Sequence, residues 1–139
     1  MRSRTFHTNS AEETVSLGRE LSKELHGVVL LIGNLGAGKT TLTKGIVEGR
    51  GVTGADDVSS PTFTLIHQYG DAEPVFHIDL YRLEEARQVE SLGLDDLFRS
   101  GGLVLLEWAE RFPELLPAER TEIRLRAVSE DGREITVVD

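Results

Sequence analysis

The sequence predicts an α/β fold of three layers, a mostly parallel central sheet with antiparallel additions, and three observations predict it. Val28-Val29-Leu30-Leu31-Ile32 is an unbroken apolar run, the pattern of a strand covered on both faces within a parallel sheet. A glycine-rich loop follows at once and leads into a helical segment from about Lys39 to Glu48, stopped by Gly49 and Gly51. Two further apolar runs, Val75–Ile78 and Leu103–Leu106, each end in a carboxylate. Glu122–Ala127 and Glu134–Val138 instead alternate polar with apolar residues and read as a hairpin across Asp131-Gly132.

The remaining elements are expected around that core. Arg4–Thr8 reads as a short edge strand. Ser10 and Glu13 have the spacing of a capping box, in which the hydroxyl accepts from a free backbone N–H and the glutamate reaches back. Val15, Leu17, Leu21 and Leu25 give the helix that follows a loose apolar face, and it is expected to end near Gly27. Asp56–Pro61 reads as a polar loop, Thr62–Tyr69 as a strand and Gly70–Pro74 as a turn. Helical segments are expected around Glu84–Glu90 and Asp95–Arg99. No repeat, low-complexity tract or linker interrupts the 139 residues, so residues 1–139 are expected to form one domain.

Composition excludes several function classes. There is no cysteine, which removes disulfides and thiolate metal sites. The four histidines, His7, His26, His67 and His77, lack the paired spacing of a zinc site and are expected to be structural. No secretory leader follows the two N-terminal arginines and no apolar run is long enough to span a bilayer, so a cytoplasmic protein without membrane association is expected. The net charge is −9 with no clustered basic run. Direct charge-driven binding to DNA or to an RNA backbone is disfavoured.

Gly33-Asn34-Leu35-Gly36-Ala37-Gly38-Lys39-Thr40 matches G-x-x-x-x-G-K-[ST], and its place between a buried strand and a helix is the context that makes the motif specific. Glycines let successive N–H groups converge on phosphate oxygens, and the helix N-terminus adds partial positive charge there. Lys39 reaches terminal phosphates as a mobile charge, and Thr40 offers a hydroxyl to magnesium. The expected ligand is a purine nucleoside triphosphate with Mg2+, and the fold class narrows to the P-loop nucleoside-triphosphatase kind. Hydrolysis also calls for an acid at the end of a neighbouring strand, and Asp79 and Glu107 both qualify. Asp79 holding the metal while Glu107 orients or deprotonates water is one assignment; the reverse stays open. Ser59-Ser60-Pro61-Thr62-Phe63-Thr64 lies where P-loop switches lie, with Thr62 placed to meet magnesium or the terminal phosphate.

Together these segments resemble the TsaE family, small bacterial ATPases of tRNA threonylcarbamoyladenosine formation. The likeness is carried by Gly33 through Thr41, by Ser60-Pro61-Thr62-Phe63-Thr64-Leu65, by His77-Ile78-Asp79-Leu80-Tyr81-Arg82-Leu83 and by Leu106-Glu107-Trp108. The resemblance implies ATP binding and hydrolysis at an assembly of TsaB and TsaD, which transfer the threonylcarbamoyl group, with tRNA engaged only indirectly. It implies that Lys39 and Thr40 hold phosphate and magnesium, that Asp79 and Glu107 complete the metal and hydrolytic site, that Thr62 belongs to the switch and that Trp108 sits beside the site. It further implies that the segments carrying Ser10, Thr14 and Arg133 help to enclose the nucleotide. Asn34 departs from the aspartate common in the family. Two other readings compete: a small-molecule kinase, which would need arginines on the transferring phosphate where Arg82, Arg87 and Arg99 form no cluster, and a nucleotide-sensing module in which hydrolysis is incidental. The chain has neither Asn-Lys-x-Asp nor Asp-x-x-Gly, so a GTPase is disfavoured.

Overall fold

The computed structural model describes residues 2–61 and 65–139. Its elements in chain order are β1 (Ser3–Thr8), α1 (Ala11–Leu21), β2 (Val28–Ile32), α2 (Lys39–Gly49), β3 (Ile66–Tyr69), β4 (Val75–Asp79), α3 (Ala86–Glu90), α4 (Leu94–Phe98), β5 (Leu103–Glu107), β6 (Thr121–Ala127) and β7 (Arg133–Val138). Among the described residues seven strands form one sheet in the order β1-β7-β6-β2-β5-β4-β3. Its centre, β6-β2-β5-β4, is parallel throughout. The antiparallel pairings lie outside it, β3 on β4 at one edge and β7 with β1 at the other.

The pleat of the central strands divides their side chains between two cores. Val29, Leu31, Leu105 and Ile123 pack with Leu42 and Ile46 of α2 and Leu21 of α1. Val28, Leu30, Val104 and Leu106 pack on the opposite face with Val89 of α3, Leu94 of α4 and Phe112. The unbroken apolar run of β2 is thus two interleaved half-runs, one for each layer. Each leucine fully buried this way contributes about 1.5–3 kcal/mol relative to exposure.

Helices α1 and α2 touch backbone to backbone. A Cβ on Gly45 would lie 2.0 Å from the Val15 carbonyl oxygen, and one on Gly18 would lie 2.5 Å from that of Leu42. The buried stripe of α1 is accordingly Thr14, Gly18 and Leu21. Val15 and Leu17 are only partly buried, which corrects the larger apolar face expected from periodicity. The helix also stops earlier than Gly27. Ser22 donates its hydroxyl to the Arg19 carbonyl at 2.6 Å, and a turn then drops Leu25 into the core from outside the helix.

The capping box forms with one change of partner: Ser10 Oγ accepts from the Glu13 N–H at 3.1 Å, while Glu13 Oε1 accepts from the N–H of Asn9 rather than Ser10, at 2.7 Å. The strand expected over Thr62–Tyr69 is observed from Ile66, with Thr62, Phe63 and Thr64 outside the described residues. The hairpin, the α2 segment and the two carboxylate-ended strands lie where they are expected.

Candidate functional site

The carboxyl ends of β2, β4 and β5 open on one side of the sheet, and the glycine loop rises from β2 at that edge. Gly38 closes the loop at φ 104°, a left-handed conformation that a side chain resists, and stands as the N-cap of α2 with no side-chain cap hydrogen bond. The first N–H groups of α2 are therefore left to an anion, the usual use of such a terminus. Lys39 follows, only 6% exposed. Its ammonium donates to the Gly33 carbonyl at 2.5 Å, lies 4.0 Å from the Trp108 ring centroid and stands 3.9 Å from Glu107 Oε1. Burial lowers the Lys39 pKa from 10.5, and the negative charges of Glu107, Glu110 and Asp79 partly oppose that.

The acids come from adjacent parallel strands. β4 and β5 pair in a register that sets Asp79 directly beside Glu107, the two being 2% and 3% exposed. Strand periodicity places His77 and Asp79 of β4, with Leu105 and Glu107 of β5, on the face that meets α2. Asp79 Oδ1 accepts from the Tyr81 N–H at 2.8 Å, and Glu107 Oε2 is hydrogen-bonded to His77 Nε2.

Among the described residues two non-glycine residues take left-handed backbone conformations, Trp108 (φ 64°) and Leu65 (φ 71°), and both flank these acids. Such strain concentrates where surrounding contacts over-determine the geometry. Here Leu65 accepts from the Asp79 N–H at 2.9 Å. Trp108 packs at 5.2 Å against the Tyr81 ring. Arg111 donates to the carbonyls of Leu80, Tyr81 and Leu83 and fastens the segment that follows β4.

A cleft of about 280 Å³ gathers most of the site residues expected from the sequence. Lys39, Thr40, Thr41, Leu35, Gly36 and Gly38 line it from the loop and α2, Asp79 and Glu107 from the sheet, and Ser10 and Thr14 from the start of α1. Arg133 comes from the far end of the chain; it is tied to the carbonyls of Ser129, Glu130 and Gly132 and donates to the Gly36 carbonyl at 3.2 Å. Gly33, Asn34 and Ala37 shape the loop but do not line the cleft. Gly33 lies where a Cβ would come 2.6 Å from the Leu125 carbonyl oxygen, and Ala37 is buried in the core. Thr62 is outside the described residues.

The structure adds residues that sequence reasoning passed over. Glu130 and Asp131, in the turn between β6 and β7, line the cleft beside Arg133, and a hairpin turn carries no signal of what it faces. His77 was legible: two residues before Asp79 in a strand, it must share that residue's face. No group of three or more His, Cys, Asp or Glu among the described residues could hold a metal unaided. The Thr40 hydroxyl with the carboxylates of Asp79 and Glu107, all lining this cleft, suits a cation whose remaining ligands are phosphates and water.

A parallel sheet core with a glycine-rich turn between its central strand and the helix packed on it defines a P-loop nucleoside-triphosphatase-like fold. The family model described as threonylcarbamoyl adenosine biosynthesis protein TsaE matches residues 8–135, and the chain belongs to the TsaE family. It is 42% identical over 139 residues to the tRNA threonylcarbamoyladenosine biosynthesis protein TsaE of Bacillus subtilis, covering 98% of this chain and 85% of the relative. It is 35% identical over 132 residues to the Treponema pallidum protein of that name, covering 94% and 96%. The crystal structure of Bacillus subtilis YdiB superposes with a TM-score of 0.78 at 36% identity, over 98% of this chain and 84% of that one. Proteins of this family take part in the biosynthesis of threonylcarbamoyladenosine in tRNA. Among the described residues no helix is long and apolar enough to cross a membrane.

Proposed function

We propose that this chain is an ATP hydrolase that supports tRNA threonylcarbamoyladenosine formation by binding and cleaving ATP at an assembly of TsaB and TsaD. The observation that carries the reading is the register of β4 and β5, which sets Asp79 beside Glu107 in the cleft that Lys39 and Thr40 also line. A lysine for the phosphates, a hydroxyl for the metal and two buried acids are the parts that phosphoryl transfer to water requires. Lys39 exchanges its bond to the Gly33 carbonyl for a terminal phosphate oxygen. Thr40 and Asp79 hold magnesium, which when bound offsets the charge of the terminal phosphates. Glu107 orients the attacking water, and Thr62 joins the site from the switch segment.

Hydrolysis is favoured over a kinase by the arginines between Asp79 and Gly101, Arg82, Arg87 and Arg99, none of which lines the cleft. Arg87 and Arg99 are exposed, pair with Glu85 and Asp96, and do not line the cleft. The charge of −9 suits a protein whose partners, rather than itself, grip the tRNA.

Reconstitution of threonylcarbamoylated tRNA with TsaB and TsaD, with and without this chain, tests the reading. Repeated turnover is expected only when the chain and ATP are both present, and Glu107→Ala should bind ATP yet fail to sustain it. Full turnover with the Glu107 variant would refute the hydrolase reading.

A further inference from the structure

We infer that His77 is a positioning residue for Glu107: it anchors one carboxylate oxygen so that the other is presented to the cleft. The inference rests on the hydrolase reading and deepens it.

His77 is 0% exposed, in the middle of β4, with Leu105 opposite it in the neighbouring strand. An imidazole is a costly choice for such a place, because a buried polar group without a partner loses the hydrogen bonds it made to water. Among the described residues its ring makes one hydrogen bond, Nε2 to Glu107 Oε2, and Nδ1 is buried without a partner. An ionised carboxylate only accepts, so in this bond the imidazole donates from Nε2. The ring therefore has one polar task, and that task is Glu107.

The geometry of Glu107 shows what the task accomplishes. Oε2 is held by His77, and Oε1 lies 3.9 Å from the Lys39 ammonium, beyond a direct hydrogen bond. Released from His77, the carboxylate would be free to rotate onto Lys39 and form a closed ion pair, the strongest alternative in so buried a site. Such a pair would turn the acid away from the water, while the ammonium, with three donors, could still meet the phosphates. An apolar residue in place of His77 would fill the core equally well and would not prevent this.

The test compares His77→Leu, His77→Gln, His77→Asn and Glu107→Ala in the full chain assembled with its partner proteins. It reads the kcat of ATP hydrolysis and, separately, the affinity for a non-hydrolysable ATP analogue by calorimetry. His77→Leu should lower kcat about 100-fold, the size of effect a small misplacement of a reacting group produces. Analogue affinity should stay within about threefold, because ground-state contacts are untouched. The amide nitrogen of glutamine can stand where Nε2 stood, whereas that of asparagine falls short. His77→Gln should therefore exceed His77→Asn by about tenfold in kcat, a contrast that survives if the leucine variant does not fold. Wild-type kcat in His77→Leu, or equal kcat in the glutamine and asparagine variants, with Glu107→Ala inactive, overturns the role of His77 and leaves the hydrolase reading standing. Wild-type kcat in Glu107→Ala overturns that reading and this inference with it.

Discussion

Gly45→Ala sets two opposing effects against each other, and their balance can be worked from the structure. An alanine in a helix interior is favoured over glycine by about 1 kcal/mol. Against this, the added methyl would lie 2.0 Å from the Val15 carbonyl oxygen, 2.8 Å from its carbon and 3.0 Å from the Arg19 nitrogen. All three are backbone atoms of α1, so no side chain can turn aside, and α1 must withdraw by more than about 1 Å. Overpacking of this kind typically costs about 1–3 kcal/mol, and so rigid a contact belongs at the upper end. The net expectation is a loss of about 1–2 kcal/mol, seen as a fall in Tm of about 3–8 °C for a domain of this size. Calorimetry, with urea melts to check the sign, measures it. A Tm equal to or above that of the parent would show that α1 and α2 are not held at this separation, and the account of their packing would be wrong.

Other outcomes follow from the cleft and the open sheet face. Lys39→Ala should weaken ATP binding by about 100-fold, since a bond to a charged group contributes about 1.5–3 kcal/mol; unchanged affinity by calorimetry would sink the site assignment. Arg133→Ala removes the tie to Gly36 and should weaken ATP binding several-fold, about 1 kcal/mol for a mostly exposed contact, without altering the fold by circular dichroism. The Glu122 carboxyl is held below its ordinary value of 4.5 by hydrogen bonding from Arg124, helped by the charges of Arg124 and Arg120 and opposed by burial. A depressed carboxylate stabilises the fold above 4.5 and loses that contribution as pH falls through the lowered value. Glu122→Gln should thus cost at most about 1 kcal/mol at pH 7, screening being strong on this face, and progressively less as pH falls below 4.5; a cost that does not shrink as pH falls would contradict the pairing. The amide of Thr62 should exchange more slowly with a triphosphate analogue than with ADP, and equal exchange in the two states would remove it from the switch.

What could be read in advance depended on whether a feature is local. The run Val28–Ile32, the capping pair Ser10 and Glu13, and the acids closing β4 and β5 each declare themselves within a few residues, because burial, capping and strand ends are set by immediate neighbours. The sheet order was not legible: nothing in Thr121–Ala127 announces that it lies parallel to β2 on one side and antiparallel to β7 on the other. Nor was the contact of Gly18 with α2, since a lone glycine in a helix reads as a weakness until the second helix lies against it. At the site, Lys39, Thr40, Asp79 and Glu107 followed from motif and strand-end reasoning, and the structure brings all four to one cleft. The alternation of β4 alone sets His77 on the face of Asp79, although its spacing from other histidines carries no ligand signal.

The bond from Arg133 to Gly36 joins residues 97 apart in sequence. Ser10 and Thr14 meet the same cleft from the opposite end of the chain, on a helix that follows the strand paired with β7. Contacts of such separation are the slowest to form, because the loop they close must be ordered before they repay it. The glycine-rich loop between β2 and α2 is built from neighbours and can take shape early, but the walls of the cleft wait for β7 to slot between β1 and β6. On a ribosome, where the N-terminal part folds first, the loop would emerge long before the cleft exists. On the proposed function, tight nucleotide retention would be a late event in the folding of this chain, and bound ATP would report on the completed sheet rather than on the motif.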